Sequence, residues 1–313
     1  MSERIATEVD GVALSLTNLE KALFPDGFTK SELISYYLEI AEVMLPHLAE
    51  RAITRVRYPE GTAKGSFFEK NAPQGSPEWV GTTEVATSAG SVRYVVVDQR
   101  ATLVWLANLA SIELHAPQWR LPDTTTGDDG IVLDGADEPR ATTLVVDLDP
   151  GPGITPADSA RAAIVAATVL AELGLEAQIK ASGNKGLQLS VPLEPTPASQ
   201  VFHFAQSLAR HLAATQPKLF TATLARDARA GLVFVDFAQN LAARNTVCAY
   251  SVRGLDRPSV AVPLTWEEVA ALRPDSVLRT SPAEALARVQ AHGDLWSPLL
   301  PYGRGTRLPD PID

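Results

Sequence analysis

Two aspartates separated by one residue follow an apolar run near the middle of the 313-residue chain, and this motif constrains the fold more than any other. Residues 144–146 are Leu-Val-Val, and residues 147–151 read Asp-Leu-Asp-Pro-Gly. Side chains at positions i and i+2 of a strand share one face, so Asp147 and Asp149 are expected to lie together at a strand end. Such carboxylates repel each other unless a cation neutralises them. The motif therefore predicts a site for divalent metal ions of the kind that supports phosphoryl displacement.

Two other interpretations of this motif stay open at the level of sequence. Asp, Pro and Gly are common turn residues, so the segment could be a turn without chemistry. It also resembles the Asp-x-Asp of haloacid-dehalogenase-like phosphatases, whose first Asp is a nucleophile. That motif usually lies near the N-terminus and has Thr or Val two residues after the second Asp, where this chain has Gly151.

A third aspartate, Asp236, stands inside a second apolar run, residues 232–237 (Leu-Val-Phe-Val-Asp-Phe). A carboxylate buried in a strand needs a partner. A metal ion shared with Asp147 and Asp149 would be one such partner, and an ion pair with Arg229 or Arg244 would be another.

Three further segments carry residue types that could contact a nucleotide. Residues 181–188 (Ala-Ser-Gly-Asn-Lys-Gly-Leu-Gln) form a glycine-rich turn whose N–H groups and lysine could bind phosphate. The turn lacks the Walker order Gly-Lys-Ser/Thr, and an ordinary hairpin turn also explains it. His115 could be a core histidine, and Phe67 and Phe68 could be core residues or a platform on which a base stacks.

The order of helical and extended patterns predicts an α+β fold, with mixed or antiparallel sheets flanked by helices. Thr29 and Glu32 form a capping-box pattern before a helix that continues to about Leu45. Further helices are expected over 101–110, from 155 to 174 and over 198–214, with two short ones near the end. Strands are expected at 53–58, 67–68, 92–97, 112–119, 142–148, 177–181, 187–191, 233–237, 247–252 and 260–262. Residues 121–139 are expected to form a loop.

Composition limits the class of protein. The chain is 45% hydrophobic and 20% charged, as is usual for a soluble protein. Its apolar stretches, such as residues 162–175, are too short to cross a bilayer, and its first residues lack a secretion signal. These features predict a cytoplasmic protein with no membrane partner. The single cysteine, Cys248, excludes an intrachain disulfide and a cysteine-rich zinc site.

The net charge of −10 conceals two basic segments. Residues 51–70 contain five basic and two acidic residues, and residues 226–257 contain five arginines and three aspartates. Six carboxylates and no basic residue lie between positions 123 and 138. Such segregation allows contacts with nucleic-acid phosphates, and the guanidinium group suits bidentate binding of oxyanions.

In this order, the segments resemble the polymerase domain of the bacterial end-joining ligase LigD, a branch of the archaeo-eukaryotic primase superfamily. The resemblance covers roughly residues 14–300. It rests on Leu-Thr-Asn-Leu-Glu-Lys at 16–21, Thr-Lys-Ser at 29–31, Phe-Phe-Glu-Lys at 67–70, His-Ala-Pro-Gln-Trp at 115–119, Asp-Leu-Asp-Pro-Gly at 147–151, Ser-Gly-Asn-Lys-Gly-Leu at 182–187, Val-Phe-Val-Asp at 233–236 with Gln-Asn at 239–240, and Tyr-Ser-Val-Arg at 250–253.

The resemblance implies that residues 1–313 form one primase-polymerase catalytic domain. Residues 1–120 would carry DNA contacts, 121–140 a loop, and 141–300 the metal and nucleotide sites. The catalytic residues Asp147, Asp149 and Asp236 would hold two divalent ions, Mn²⁺ or Mg²⁺, with no zinc. The implied nucleotide contacts are His115 (at the sugar), Ser182, Lys185, Gln188, Arg229, Gln239 and Arg253. The implied DNA contacts are Phe67, Phe68 and Lys70 for the template, and Lys21 and Lys30 for a 5′-phosphate.

The implied function is template-dependent addition of nucleotides in short gaps or at breaks of 5′-phosphorylated DNA. The substrates would be NTPs or dNTPs, with ribonucleotides preferred, since the 2′-hydroxyl distinguishes the two sugars. A separate ligase or a Ku-like end-binding protein could be a partner. No Lys-x-Asp-Gly motif of DNA ligases is present, so the polymerase is expected to stand alone.

Two positions depart from the pattern of the family. Gln188 stands where a histidine usually reaches the triphosphate, and Ala249 stands where proline is usual. Gln188 can donate a hydrogen bond but brings no positive charge. A non-catalytic or weakly active protein that binds DNA ends or gaps is therefore an alternative. Priming without a primer also stays open.

Overall fold

The computed structural model describes residues 4–312 except residues 89 and 301. The helices of this part are α1 Lys30–Leu48, α2 Arg100–Asn108, α3 Pro156–Glu172, α4 Ala198–Thr215, α5 Trp266–Ala270 and α6 Pro282–His292. The strands are β1 Arg4–Val9, β2 Val12–Thr17, β3 Thr54–Arg57, β4 Phe67–Glu69, β5 Thr82–Thr87, β6 Gly90–Val95, β7 Ser111–Ala116, β8 Thr126–Gly127, β9 Gly130–Ile131, β10 Arg140–Pro150, β11 Gln178–Ala181, β12 Leu187–Pro197, β13 Phe220–Thr221, β14 Val233–Asp236, β15 Thr246–Val247, β16 Val252–Arg253, β17 Ser259–Val260 and β18 Pro263–Leu264.

A six-stranded sheet in the order β13-β14-β10-β12-β11-β18 forms the centre of the fold. Strands β13 and β14 are parallel, and the other neighbours are antiparallel. Helices α3 and α4 pack against β10 and β12. The buried face of α3 carries Ala162, Ala163 and Ala166, so this helix can approach the sheet closely. The predicted α+β fold with mixed sheets flanked by helices is confirmed.

A second sheet, in the order β15-β7-β3-β4, is antiparallel throughout. Helix α1 is tied to it by Tyr37, whose hydroxyl donates to the carbonyl of Ile112 at 2.7 Å. The neighbouring Tyr36 donates to the carbonyl of Tyr250 at 2.8 Å. Ile112 of this sheet and Leu144 of the six-stranded sheet belong to the same buried apolar cluster. The two sheets therefore share a core.

Local sequence signals located the starts of α1 and α3 correctly. Helix α1 begins with the predicted capping box, in which the Thr29 hydroxyl accepts from the Glu32 backbone N–H and the Glu32 carboxylate accepts from that of Thr29. Thr155 and Asp158 form the same arrangement before α3. Among the described residues, no helix has the length and apolar character needed to cross a membrane.

The predictions were wrong where pairing across the sheet decides the structure. The expected loop over 121–139 contains β8 and β9, and β9 pairs with β5. A side-chain carbon at Gly130 would lie 2.5 Å from the carbonyl oxygen of Glu84, so the pairing requires glycine there. The expected strand at 247–252 is divided between β15 and β16, which belong to different sheets. The hairpin of β1 and β2 was not anticipated.

Substitution of Gly151 tests how tightly the aspartate motif is packed. A Cβ atom at this position would lie 1.8 Å from the backbone oxygen of Arg229, which cannot move without shifting its segment. We expect Gly151→Ala to lower the free energy of unfolding by about 1–3 kcal/mol, measured by denaturant titration. Gly81→Ala is the control, because its Cβ would meet its nearest atom at an ordinary 3.5 Å. Equal stability of the two variants would contradict the predicted clash.

Candidate active site

The three aspartates converge on one end of the central sheet. Asp147 of β10 lies directly opposite Asp236 of the antiparallel neighbour β14, and Asp149 lies two residues further along β10. One carboxylate oxygen from each residue lies within 4.8 Å of the other two. Asp147 and Asp236 are half-buried, whereas Asp149 is exposed. A hard divalent cation prefers such a set of oxygen ligands.

The electrostatics of this cluster favour a cation. Removal from water and the neighbouring charge of Asp149 raise the pKa of Asp147 to about 7. Partial removal from water and the charge of Asp236 likewise raise the pKa of Asp149. Without a metal ion, either one of the carboxyl groups binds a proton or the repulsion between the carboxylates destabilises the fold. The donor set and its mutual repulsion both fit a divalent ion.

Neighbouring side chains hold the carboxylates in place. The Asp236 carboxylate accepts hydrogen bonds from the Gln239 side-chain amide at 2.9 Å and from the Ala238 backbone N–H at 3.2 Å. Asn240 braces β10: its amide accepts from the Val145 N–H at 2.9 Å and donates to the Val145 carbonyl at 2.8 Å. Among the described residues, neither Arg229 nor Arg244 forms an ion pair with Asp236.

A cleft of about 390 Å³ opens beside the aspartates. All seven predicted nucleotide contacts line it together with Asp147 and Asp149, namely His115, Ser182, Lys185, Gln188, Arg229, Gln239 and Arg253. The lining also includes Asn184, Asn245 and Thr246. Three cationic side chains and two carboxylates therefore face the same space, a combination that suits a polyphosphate bound with divalent ions.

The glycine-rich turn is held against Arg253. The Ser182 hydroxyl accepts from the Gly186 N–H at 3.2 Å, and the Arg253 guanidinium donates to the Ser182 carbonyl at 2.6 Å. Gly183 has a φ of 76°, and a Cβ there would lie 2.7 Å from Cγ of Arg253. Lys185 is exposed at the tip of the turn. The turn is thus held by hydrogen bonds and close packing, and it presents an exposed ammonium group at the cleft.

Arg229 is fixed by stacking rather than by an ion pair. Its guanidinium carbon lies 3.6 Å from the centre of the Phe234 ring, and the group donates to the Leu224 carbonyl at 2.8 Å. Its positive charge lowers the pKa of Asp149 against the opposing effects of burial and Asp236. Arg229 therefore contributes positive charge to the cleft.

Two charged residues of this region were missed by sequence analysis. Lys180 is only 2% exposed and donates to the Val247 carbonyl at 3.0 Å. It shares a row across the sheet with Gln188, Asp147 and Asp236, which are successive partners on neighbouring strands. Its charge opposes the rise in the pKa of Asp147. A lone lysine in the expected strand at 177–181 was the available signal.

Glu113 is the second missed residue. It is 5% exposed and accepts hydrogen bonds from His115 and from Arg253, which both line the cleft. Although burial raises the pKa of Glu113, its contacts with His115 and Arg253 lower the value to about 2. Glu113 and His115 are spaced by two residues in a buried strand, the same signal that identified the two aspartates of β10.

The predicted template-stacking residues lie on the second sheet, beside the cleft. Phe67 and Phe68 are 61% and 58% exposed, so the alternative that they are core residues is wrong. The ring centres of Phe68 and His115 are 6.2 Å apart. Lys70 is half-buried, and none of these three residues lines the cleft.

The predicted 5′-phosphate residues form a separate pair. The Lys30 backbone N–H donates to the Lys21 carbonyl at 2.9 Å. Lys30 is 5% exposed and its ammonium donates to the Thr17 carbonyl at 2.8 Å, whereas the Lys21 ammonium contacts Glu60 at 3.2 Å. Burial, followed by the charges of Lys21 and Arg57, lowers the pKa of Lys30. Three positive charges thus lie close together, away from the cleft.

Comparison with known proteins identifies the family. Residues 29–296 match the family described as LigD, primase-polymerase domain. The chain is 42% identical over 287 residues to the multifunctional non-homologous end joining protein LigD of Mycolicibacterium smegmatis, covering 91% of this chain and 36% of that protein. It is 32% identical over 259 residues to the bifunctional LigD of Bacillus subtilis, covering 82% of this chain and 39% of that protein. The chain thus spans little more than a third of the length of these two relatives.

A solved structure agrees with the sequence comparison. The polymerase domain of Mycobacterium tuberculosis ligase D, in complex with DNA, superposes with a TM-score of 0.83 and 39% sequence identity. The match covers 92% of this chain and 98% of that one. The family match spans most of the chain. The chain belongs to the LigD primase-polymerase domain family.

Proposed function

We propose that this chain is a template-directed polymerase that fills short gaps or extends primers at DNA breaks, using two divalent ions and preferring ribonucleotides. Its family is one of nucleotidyltransferases of the DNA-polymerase type that act in non-homologous end joining. The observation that carries the proposal is the three-carboxylate cluster, two of whose members, Asp147 and Asp149, line the same cleft as a glycine-rich cationic turn. In this proposal residues 1–313 act as one catalytic domain.

Asp147, Asp149 and Asp236 would hold two ions, Mg²⁺ or Mn²⁺. When bound, such ions lower the pKa of an attacking hydroxyl and stabilise charge on the departing pyrophosphate. The carboxylates do not attack; they position the ions. Asn240 and Gln239 maintain the carboxylate geometry through their hydrogen bonds to β10 and to Asp236.

The incoming nucleotide would occupy the cleft. Ser182, Lys185 and Arg253 would bind the triphosphate, with Gln188, Arg229 and Gln239 near it and His115 at the sugar. The support for these roles is that all seven residues line one cleft with Asp147 and Asp149. Charge-assisted hydrogen bonds from Lys185 and Arg253 suit phosphate oxygens.

DNA would bind across the second sheet. The exposed rings of Phe67 and Phe68 would stack on the template beside Lys70, and Lys21 and Lys30 would bind the 5′-phosphate across the gap. The related structure from Mycobacterium tuberculosis is a complex with DNA, which supports this partner. A ligase or a Ku-like protein would be a further partner in the cytoplasm, because the relatives are named for end joining.

The alternatives now differ in support. Family membership removes the haloacid-dehalogenase-like phosphatase interpretation. A weakly active DNA-end binder stays a candidate because Gln188 replaces a cationic contact, although all three carboxylates are present and clustered.

Removal of the carboxylates tests the reaction. We expect Asp147→Ala and Asp149→Ala each to reduce primer extension on a gapped, 5′-phosphorylated duplex by about a thousandfold or more, because metal ions supply several kcal/mol to such a reaction. DNA binding should persist. Asp128→Ala, at an exposed aspartate of the β8–β9 hairpin, is the control. Undiminished extension by the Asp147 and Asp149 variants would refute the proposed site.

Restoring the family's histidine tests the binding-only alternative. We expect the wild-type protein to extend primers and Gln188→His to raise kcat/KM by no more than about a hundredfold, the upper range for one charge-assisted hydrogen bond. The readout is steady-state extension with ribonucleotides and with deoxyribonucleotides. An inactive wild type beside an active variant would favour the DNA-end binder.

The repulsion within the cluster predicts a pH dependence of stability without metal. Because folding raises the pKa of Asp147 to about 7, the folded state binds a proton more tightly than the unfolded state, and stability falls as pH rises from about 4 to 7. In EDTA at pH 7.5, Asp147→Asn should therefore raise Tm by a few degrees, while Asp128→Asn should not. Mg²⁺ should stabilise the wild type more than the Asp147 variant. An unchanged Tm for Asp147→Asn would contradict this account.

A further inference from the structure

The Glu113 carboxylate is surrounded by hydrogen-bond donors. Oε2 receives His115 Nε2 at 3.0 Å and Arg253 Nε at 3.1 Å. Oε1 receives the Gly254 backbone N–H at 2.9 Å and the Tyr58 hydroxyl at 3.3 Å. An ionised carboxylate offers about four acceptor positions, so these four contacts use its full capacity.

The chemistry of the four partners determines which protons are present. The guanidinium Nε–H and the backbone N–H can donate but cannot accept, so both oxygens of Glu113 must act as acceptors. An ionised carboxylate has no proton to give, and the Nε2 atom of His115 must therefore carry the hydrogen. Burial also lowers the pKa of His115, which favours the neutral ring. The remaining ring nitrogen, Nδ1, is then an acceptor.

Nδ1 of His115 is available to a ligand. Among residues 4–88, 90–300 and 302–312, no hydrogen-bond partner contacts it, and His115 lines the cleft beside Asp147. An unprotonated imidazole nitrogen accepts a hydrogen bond from a hydroxyl, but it cannot donate one to an acceptor such as an ether oxygen or a fluorine atom.

We propose that Glu113 is a positioning residue that sets the polarity of the sugar site: it holds Nδ1 of His115 as an acceptor for the 2′-hydroxyl of a ribonucleotide and aligns Arg253 for the triphosphate. The identity of the ligand rests on the proposed function. One buried anion thereby links sugar recognition to phosphate binding, and its loss affects both.

Glutamine at position 113 cannot reproduce this arrangement. Its NH₂ group would face either Arg253 and His115 or the N–H of Gly254, and each orientation sets donor against donor. Glu69 is a matched control, because its carboxylate also binds two arginines, Arg55 at 3.1 Å and Arg57 at 2.9 Å, in the same sheet but outside the cleft.

The first experiment reads the tautomer without substrate or metal. Long-range ¹H–¹⁵N NMR of histidine-labelled protein should show His115 as the neutral ring with hydrogen on Nε2, in the wild type and in Glu69→Gln. Glu113→Gln should shift the population towards hydrogen on Nδ1, because the amide NH₂ group donates to Nε2 in those molecules where it faces His115. A wild-type ring with hydrogen on Nδ1, or on both nitrogens at pH 7.5, would overturn the proposal. This result does not depend on polymerase activity, so it can fail or succeed separately from the proposed function.

The second experiment uses nucleotide analogues in primer extension. With the wild type, 2′-hydroxyl and 2′-amino nucleotides should be incorporated with a KM about tenfold below that of 2′-deoxy and 2′-fluoro nucleotides, since only the first two donate. Glu113→Gln should raise KM for ribonucleotides about tenfold and reduce this discrimination, with kcat changed less. A 2′-fluoro nucleotide used as well as the ribonucleotide would overturn the proposal.

Discussion

The mutual repulsion of three carboxylates is the constraint around which the site is built. Antiparallel pairing places Asp147 opposite Asp236, and the two-residue period of β10 adds Asp149 on the same face. The protein tolerates this arrangement because the strands are fixed elsewhere, by the Asn240 brace and by the apolar cluster beneath them. The repulsion between these carboxylates lowers the stability of the metal-free fold, and the same repulsion favours the binding of a cation.

The buried negative charges in and beside the cleft, those of the aspartate cluster and of Glu113, have different surroundings. Too few positively charged side chains surround the aspartate cluster to neutralise it, so its carboxylates favour the binding of cations. Glu113, by contrast, is saturated by protein donors and therefore organises its neighbours rather than a ligand. Lys180 is a protein cation that compensates the aspartate cluster only in part. It is buried in the same cross-strand row as Asp147 and offsets part of the negative charge of Asp147 without lining the cleft.

Much of the site could be predicted from local sequence because its parts are short and rigid. The Asp-x-Asp spacing, the glycine-rich turn and the capping boxes are signals that a few residues carry alone. Glu113 and Lys180 show the limit of such reasoning. Each looks like an isolated charge in an apolar strand, and its partners lie far away in the chain, as with Glu113 and Arg253. Their significance depends on which strands become neighbours.

The sequence by itself determined the α+β class, the starts of α1 and α3, the placement of Asp147 and Asp149 on one face of a strand, and the chemistry that the lining residues can offer. Periodicity and capping are local, so they need no knowledge of the fold. Tertiary structure decided that Asp236 joins them, that Phe67 and Phe68 are exposed beside His115, and that Lys21 and Lys30 lie apart from the cleft. Those outcomes depend on strand order and register, which are set by the burial of whole faces across the chain.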